Sequence, residues 1–258
     1  MAIKYVDAHT HPLKCYYKDN YQYCEEAYNK GVAVMMVTGC DPQENEEVLQ
    51  LCKHFDHTFP VIGIHPTLAT GKQDGEILAK QITPEVKAIG EIGLDYYWKN
   101  VPREIQIESF DAQIETAKKF NLPVVVHMRD AYEDLYEVIK KRADQVTFMI
   151  HTFSGDLYWA KKFYELGCYF SFSGIVTYKN AQKTIEVLEW LPVERILTET
   201  DAPYLSPAQK RNEWNDSTNV IYVTTFIAGL KKMPFEKFAD QVLKNTKELF
   251  KLNVSRKK

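Results

Sequence analysis

Strand-like and helix-like segments alternate along this chain. The strand-like segments are short apolar runs rich in β-branched and aromatic residues, and several are nearly continuous, as strands covered on both faces should be. Between them, segments such as 44–54 and 103–120 carry apolar residues at three-and-four spacing, which is typical of amphipathic helices. We predict eight strands, at residues 3–6, 32–38, 58–64, 86–92, 123–126, 146–150, 168–172 and 195–198.

Eight strand–helix units in 258 residues point to an α/β fold, a (β/α)8 TIM barrel formed by residues 1–258 as one domain. An open, doubly wound sheet would also produce alternating units. The barrel is favoured because the unusual polar residues fall at the C-terminal ends of the predicted strands. Only a closed barrel brings the ends of distant strands together around one mouth, which is where the active site of a TIM barrel lies.

The composition of the chain excludes some functional classes. A net charge of −3 excludes a globally basic nucleic-acid binder, so contact with an anionic polymer would need a local patch or a bound metal. The five cysteines are scattered without a Cys-x-x-Cys pair, which indicates reduced thiols. No apolar run reaches about eighteen residues, and the first strand leaves no room for a signal peptide. We therefore expect a cytoplasmic protein that contacts no membrane and needs no obligate protein partner.

Two histidines follow the first predicted strand, in the sequence Asp-Ala-His-Thr-His at residues 7–11. Side chains alternate across a strand, so His9 and His11 leave the backbone on the same side, one pleat apart. Two imidazoles at that separation can bind one divalent cation, although a metal site needs further ligands. The pair therefore predicts part of a metal site.

Further polar residues stand at the ends of other predicted strands. Five of the seven histidines do so, together with two carboxylates, and burial of so many ionisable groups would require partners or a metal. The other two histidines, His54 and His57, flank a helix end and are expected at the surface. The converging residues are His9 and His11 (strand one), His65 (three), Glu91 (four), His127 (five), His151 (six) and Asp201 (eight).

The chemistry of these donors favours two divalent ions. Six ligands exceed the needs of one zinc with an open position but suffice for two cations. Imidazole and carboxylate without thiolate suit Zn, Mn, Fe or Ni, and Mg if waters complete the shell. Glu91 is the natural bridging carboxylate, and Asp201 could hold and deprotonate an activated water, so these two are the candidate catalytic residues. Cys40, at the end of strand two, has no second thiol nearby and is interpreted as a packing residue.

Six short motifs, in order and over nearly the whole chain, resemble the motif series of the TatD family of metal-dependent hydrolases. They read DAHTH at 7–11, GIHP at 63–66, GEIGLDYY at 90–97, HMRDA at 127–131, HTFSG at 151–155 and ETDAPYL at 199–205. The resemblance implies an amidohydrolase-like barrel and a divalent-metal deoxyribonuclease activity, usually 3′-to-5′ exonucleolytic. It also implies metal ligands at His9, His11, Glu91, His127, His151 and Asp201.

The chain departs from the family pattern after Asp201. Where the family has a short Gly-Lys-Arg-Asn run, this chain reads AQKRNE at 208–213, which retains Lys210 and Arg211. A longer insert that begins with Trp214 follows. The predicted metal ligands lie outside this insert, whereas the substrate contacts depend on it.

Three more residues at strand ends carry open alternatives. Arg129 could hold a phosphate through its planar fork, or form a structural ion pair with Asp130 or Glu199. His65 is either an outer ligand or a hydrogen-bond donor to phosphate. Glu199 shares the strand face of Asp201 and could orient a histidine or arginine from behind the ligands.

The substrate is expected to be DNA, as single strands or frayed ends. Aromatic residues at 96–98 and Tyr204 follow the strands that carry Glu91 and Asp201, and aromatics beside cations suit stacking on unpaired bases. Chance packing of aromatics is the alternative, because they make up 13% of the chain. The cations expected at this mouth are Lys99, Arg103, Lys210 and Arg211.

Two other functions remain open from the sequence. The same pair of metals serves carbonyl and phosphoryl centres, so the enzyme could hydrolyse a small ester, amide, lactone or nucleotide, or an aminoacyl-tRNA. A metal-binding protein without turnover is the third reading, and it would bind metal tightly but show no activity with any divalent ion.

Overall fold

Eight parallel strands form one sheet in chain order, from β1 to β8, in the computed structural model, which describes residues 5–253. Each strand pairs in parallel with the next one along the chain. The strands are β1 (Tyr5–Thr10), β2 (Val32–Thr38), β3 (Thr58–Ile62), β4 (Ala88–Asp95), β5 (Val124–Arg129), β6 (Phe148–Ile150), β7 (Tyr169–Phe172) and β8 (Ile196–Thr198).

Helices connect the strands, and two further helices follow β8. The helices are α1 (Asn20–Asn29), α2 (Pro42–Cys52), α3 (Gln73–Ala79), α4 (Arg103–Phe120), α5 (Tyr132–Lys140), α6 (Leu157–Glu165), α7 (Gln182–Trp190), α8 (Val220–Leu230) and α9 (Phe235–Leu249). Among residues 5–253, no helix combines the length and the apolarity that crossing a bilayer requires.

The last strand returns to the first, so the predicted TIM barrel is confirmed. The Asp201 backbone N–H donates to the His9 carbonyl at 3.0 Å. The buried Asp7 carboxylate accepts hydrogen bonds from the backbone N–H of Thr200 at 2.9 Å and from its hydroxyl at 2.6 Å. These bonds join the C-terminal ends of β1 and β8, where the two strands carry candidate site residues.

The core lies inside the barrel and between the sheet and the helices. In β2, the sequence VAVMMVT is apolar up to its last residue, and six of its seven side chains are buried, as expected for a strand covered on both faces. The outer helices present one apolar face to the sheet, and α9 buries Phe238, Val242 and Leu249 on that face. The pairing of each strand with its neighbours sets the register, and so sets which residues reach the mouth.

Several strand and helix bounds differ from those predicted. The strand predicted at 3–6 runs from Tyr5 to Thr10 within the described residues, which exclude Ile3 and Lys4. The predicted strands 86–92 and 123–126 continue to Asp95 and Arg129, because residues 93–95 pair in register with residues 127–129. The sequence did not predict these strand ends, because the pairing that stabilises them depends on the neighbouring strand.

Helix α2 begins two residues before its predicted start. The Asp41 side chain accepts hydrogen bonds from the backbone N–H groups of Gln43 and Glu44, and Pro42 occupies the first turn, where its missing N–H costs nothing. The surface prediction for His57 is wrong, since this residue is buried with Nε2 3.1 Å from the Cys24 carbonyl oxygen. His54 is exposed, as predicted.

Candidate metal centre

The Glu91 carboxylate lies at the centre of the mouth, where imidazoles from three strands face it. Its Oε1 lies 2.6 Å from His127 Nδ1 and 2.7 Å from His151 Nε2. Its Oε2 lies 3.3 Å from His9 Nε2 and 3.8 Å from His11 Nε2. The two oxygens of one carboxylate therefore face two different pairs of imidazoles, which is the arrangement of a bridging ligand.

Asp201 joins the side of the mouth that holds His9 and His11. Its Oδ1 lies 3.5 Å from His9 Nε2 and 3.4 Å from His11 Nε2. Asp201 adopts a left-handed backbone conformation with φ of 54°, which is uncommon for a residue with a side chain and is often retained at functional sites. The ligand atoms of His9, His151 and Asp201 also lie within 4.8 Å of one another.

The orientations of His9 and His11 fit a cation between them. His11 Nδ1 lies 2.9 Å from the Thr38 carbonyl oxygen, so Nδ1 donates to that oxygen and Nε2 faces the mouth, with its lone pair available when the ring is neutral. His9 Nε2 lies only 3.1 Å from that nitrogen. Two facing lone pairs repel each other unless a proton or a metal ion lies between them, and the adjacent carboxylates supply the compensating negative charge.

His151 is backed by a second buried carboxylate. Its Nδ1 lies 3.4 Å from Glu199 Oε1, on the side of the ring away from Glu91. Glu199 is held in place because it accepts hydrogen bonds from the Thr152 backbone N–H at 2.8 Å, from the Thr152 hydroxyl and from the Ser171 hydroxyl. His151 Nδ1 makes no hydrogen bond, so Glu199 acts on this ring through its charge, which increases the basicity of the imidazole.

Asp95 is the carboxylate behind His127. The sequence did not point to a role for this residue. Its Oδ2 lies 2.8 Å from His127 Nε2, while Nδ1 of the same ring faces Glu91. The available signal was the period of two along β4, which places residues 91, 93 and 95 on one side. Gly93, with φ of 144°, permits the close approach, since a Cβ there would lie 2.1 Å from the His127 carbonyl oxygen.

The geometry of His65 favours a hydrogen-bond donor over a metal ligand. Its ligand atom lies within 4.8 Å of those of Glu91 and His127, and Nε2 is 3.6 Å from Glu91 Oε1. However, Nδ1 accepts the backbone N–H of Thr67 at 3.2 Å. A neutral imidazole has one lone pair, so Nε2 must carry the proton. Burial and the neighbouring His127 lower the pKa of His65 to about 3, which keeps the ring neutral.

The ionisation of the other groups follows from burial and close partners. Burial opposes the charge on Glu91, but His151 and His127 outweigh it and hold the pKa of this carboxyl well below its usual value. Burial likewise opposes protonation of His151, yet the two carboxylates beside it raise the pKa of His151 well above 6.5. Burial and the nearby His151 lower the pKa of His9. The mouth thus holds an ionised carboxylate among imidazoles of different basicity.

Cys40, interpreted as a packing residue, lies beside the site. Burial raises the pKa of its thiol to about 12, and the neighbouring His11 opposes that rise. Burial opposes protonation of His11, but its polar neighbours, Asp201 among them, outweigh it and raise the pKa of His11 well above 6.5. The prediction for Cys40 was made from spacing, which does not reveal neighbours on other strands.

Arg129 forms neither of the ion pairs considered for it. Its guanidinium carbon lies 3.8 Å from the centre of the Tyr97 ring and 5.9 Å from that of Trp98. Within residues 5–253 no ion pair joins it to Asp130 or Glu199, and Glu199 is engaged with Thr152 and Ser171. Arg129 is therefore a cation held by aromatic rings beside the mouth.

Two of the other expected cations are neutralised within the chain. Arg103 forms a two-point ion pair with Asp134, at 2.6 and 2.5 Å, and Lys210 Nζ lies 2.8 Å from Glu213. Arg211 lies 6.0 Å from the Tyr178 ring. The expected basic mouth is thus less basic than its residue types suggest.

Tyr204 and the insert after it are tied to the end of β8. The exposed Tyr204 donates a hydrogen bond from its hydroxyl to that of Tyr16 at 2.9 Å. The buried Asn215 donates to the Thr200 carbonyl at 3.0 Å and to the Tyr204 carbonyl at 2.5 Å. Trp214, next to this anchor, is exposed.

Comparison with known proteins finds the same kind of molecule over nearly the whole chain. Residues 6–251 match the family described as TatD related DNase. The chain is 36% identical over 252 residues to the uncharacterized metal-dependent hydrolase YabD of Bacillus subtilis (strain 168), covering 96% of this chain and 99% of that protein. It is 37% identical over 198 residues to the uncharacterized metal-dependent hydrolase YcfH of Escherichia coli (strain K12), covering 75% of this chain and 74% of that protein.

Solved structures give the same result for the fold. The crystal structure of YjjV, a TatD homologue from Escherichia coli K12, superposes with a TM-score of 0.90 at 28% identity, covering 98% of this chain and all of that one (100%). A phosphotriesterase homology protein from Escherichia coli, with phosphate in its active site, superposes with a TM-score of 0.68 at 17% identity, covering 97% of this chain and 99% of that one. This second likeness concerns the fold alone.

Proposed function

Because the chain belongs to the TatD family of metal-dependent hydrolases, we propose that it is a deoxyribonuclease that hydrolyses phosphodiester bonds at the ends of single-stranded DNA. The observation that carries this proposal is the Glu91 carboxylate, whose two oxygens face separate pairs of imidazoles. A carboxylate with this reach would help hold two divalent ions, and such a pair would supply positive charge to both the attacking and the leaving oxygen of a phosphodiester.

Six residues are proposed to hold two divalent ions. The donors are imidazole nitrogens and carboxylate oxygens, which suit Zn, Mn, Ni or Fe, and Mg with added waters. When bound, such ions lower the pKa of water and neutralise charge on a phosphate. The proposed ligands are His9, His11, Glu91, His127, His151 and Asp201.

The residues of the chain supply the remaining chemistry. The Asp201 carboxylate lies at the mouth beside His9 and His11, where it can accept the proton of the attacking water. His65 can donate from Nε2 to a phosphate oxygen, because its Nδ1 is occupied by Thr67. Asp95 holds His127 in the orientation that directs it to Glu91, and Glu199 adds negative charge behind His151.

A strand end is the proposed substrate, rather than a long duplex. The net charge of −3 offers little general attraction for DNA, and Arg103 and Lys210 are paired within the chain. A grip on a few nucleotides at the mouth needs fewer cations than a duplex track. A cytoplasmic location is part of the proposal, and it fits the five cysteines, all of which are free thiols.

The test is degradation of end-labelled single-stranded DNA by protein stripped with a chelator and then reconstituted with Mn, Zn or Mg. We expect stepwise shortening from one end only when a divalent ion is added, and none by the variant Asp201→Asn. If wild-type protein leaves DNA intact with every ion but cleaves a simple ester, amide or aminoacyl-tRNA, the chain is a hydrolase of another substrate. Labels at the 5′ and 3′ ends in separate reactions give the direction of cleavage.

A further inference from the structure

We propose that Tyr97, Trp98 and Arg129 form a subsite for one unpaired nucleotide beside the scissile phosphate, with its base stacked on Trp98 and its phosphate held by Arg129. This inference rests on the deoxyribonuclease function proposed above. The subsite is the part of the mouth that recognises the DNA strand, through one base and one phosphate. We call these three residues the aromatic platform.

The aromatic platform is attached to the candidate metal centre through one carboxylate. Asp95 Oδ1 accepts the backbone N–H groups of Tyr97 at 3.0 Å and Trp98 at 2.9 Å, while Oδ2 of the same residue lies 2.8 Å from His127 Nε2. Arg129 follows His127 by two residues on β5 and is the register partner of Asp95 on β4. A nucleotide on the platform would therefore adjoin a phosphate at the metal centre.

Arg129 has the features of a phosphate-binding group. The Tyr97 ring lies 3.8 Å from its guanidinium carbon, so one face of the guanidinium is covered. In the described part of the chain, no carboxylate forms an ion pair with it, in contrast to Arg103, which Asp134 holds at two points. A guanidinium stacked on a ring keeps its N–H edge available for the oxygens of a phosphate.

The two rings offer surface for a base. Trp98 is 56% exposed and Tyr97 is 51% exposed, and the rings meet edge to face with centroids 5.0 Å apart. Large exposed aromatics beside an unpaired cation are the features with which proteins bind single-stranded nucleic acid irrespective of sequence, because every base has a π-face. The expected ligand is thus any unpaired nucleotide.

The segment that carries the rings is fixed before any ligand binds. Gln106 Oε1 accepts the Asp95 N–H at 2.8 Å, and its Nε2 donates to the carbonyls of Asp95 at 2.9 Å and Val101 at 3.0 Å. Asn100 donates to the Thr67 carbonyl at 2.6 Å. A surface that is already ordered loses little conformational entropy on binding, so stacking contributes more fully to affinity.

The opposite side of the mouth, near β1 and β8, is less suited to this role. There the hydroxyls of Tyr204 and Tyr16 bond to each other, and the nearby cation Lys210 is paired with Glu213. Arg211 lies 6.0 Å from the Tyr178 ring, whereas Arg129 lies 3.8 Å from the Tyr97 ring, so aromatic surface and an available cation are in closer contact on the β4–β5 side. This difference is why we assign the nucleotide to the aromatic platform.

The test combines a side-chain deletion with a base deletion. The metal-reconstituted wild type, Trp98→Ala and Arg129→Gln are assayed on single-stranded DNA that is intact or abasic at each terminal position in turn. Tyr158→Ala is the control, because Tyr158 is 57% exposed on α6, outside the mouth. We expect Trp98→Ala to raise KM roughly tenfold with little change in kcat, and Tyr158→Ala to match wild type.

Trp98→Ala combined with an abasic position tests whether the base stacks on Trp98. One abasic position should raise the wild-type KM by the same roughly tenfold factor and should add nothing in Trp98→Ala. Arg129→Gln should raise KM on intact and abasic DNA alike and make binding less sensitive to salt. If Trp98→Ala stays within about twofold of wild type on intact DNA, the subsite is wrong while the nuclease function stands.

A binding assay separates the subsite from the proposed function. If wild-type protein cleaves no DNA, the nuclease function fails, and fluorescence anisotropy with a labelled phosphorothioate oligonucleotide then decides the subsite. Weaker binding by Trp98→Ala than by Tyr158→Ala supports the aromatic platform. Equal binding by these two variants and wild type overturns it.

Discussion

The two halves of the candidate metal centre are held in place by different groups. On the β1–β8 side, the His11 ring bonds to the backbone carbonyl of Thr38, and His9 Nδ1 lies 3.4 Å from the Thr38 hydroxyl. On the β5–β6 side, buried carboxylates lie behind the imidazoles of His127 and His151. Neutral groups lie behind the first pair of rings, whereas negative charge lies behind the second.

This difference predicts that metal affinity depends on different carboxylates on the two sides. A carboxylate behind an imidazole makes the ring a stronger electron donor than a carbonyl or hydroxyl does, and it adds negative charge near the cation. The β1–β8 side instead has the carboxylate of Asp201 next to its two imidazoles. We therefore expect the affinity of the β5–β6 side to depend on the carboxylates behind its rings, and the affinity of the β1–β8 side to depend on Asp201.

The largest expected effect comes from the residue that both sides share. Glu91→Gln keeps the size of the side chain but removes the charge that faces five imidazoles, four of them proposed ligands, so binding at both sides should weaken. We expect a loss of hydrolysis beyond about a hundredfold and a fall in total metal content, measured by atomic emission on dialysed protein. A variant that keeps its metal and its activity would contradict the bridging role.

Asp201→Ala should weaken metal binding only on the β1–β8 side of the candidate metal centre. Hydrolysis should be abolished, because the residue proposed as proton acceptor is gone, while the β5–β6 side retains its ion and the thermal unfolding curve of the protein changes little. Activity assays, metal analysis and circular dichroism on the same preparation measure these outcomes. Near-normal turnover would contradict the assignment of Asp201.

A smaller effect is expected from the carboxylate behind His151. Glu199→Gln should reduce metal affinity by roughly ten- to a hundredfold, measured by competition with a chromogenic chelator. The matched control on the other side is Thr38→Val, which removes the hydroxyl near His9 and should change affinity by no more than about twofold. Equal losses in the two variants would mean that the two sides do not differ as proposed.

The smallest expected effect is on the number of protons released when a metal ion binds. Burial opposes protonation of His11 and His151, but their neighbours raise both pKa values well above 6.5, so these rings carry protons in the metal-free protein near neutral pH. A metal requires the neutral nitrogen and must displace them. Calorimetry in buffers of different ionisation enthalpy should show net proton release near neutral pH that declines as the pH rises through the raised pKa values of these two rings.

The raised pKa values of His11 and His151 also predict how the stability of the metal-free protein changes with pH. Rings whose pKa is raised on folding stabilise the fold most below the unfolded pKa of 6.5, and this contribution is lost as pH rises through the raised folded values. The melting temperature of the metal-free protein should therefore fall across that pH range. Proton release and melting that do not vary with pH would contradict the protonated state of these two rings.

Much of the site was predictable because strand periodicity and barrel geometry together determine it. Once β1 is a strand, His9 and His11 share a face, and once the sheet closes, the ends of β4, β5, β6 and β8 meet them. The barrel and the convergence of the six predicted residues at one mouth followed from those two rules.

What the sequence did not reveal depends on contacts between distant segments. The role of Asp95 depends on its register with β5, and Arg129 is held by rings from the segment after β4, not by an acidic neighbour. Arg103 was expected to contribute charge at the mouth, but Asp134, on another helix, neutralises it. These pairings are set by tertiary packing, which local patterns do not encode.

We propose that Glu91 lies between two divalent ions. Crystals of protein loaded with Mn or Zn, with diffraction data collected on both sides of the absorption edge of the metal, would locate these ions. We expect two anomalous peaks, one near His9, His11 and Asp201 and the other near His127 and His151, with Glu91 between them. A single peak, or none at this mouth under saturating metal, would show that Glu91 does not lie between two ions.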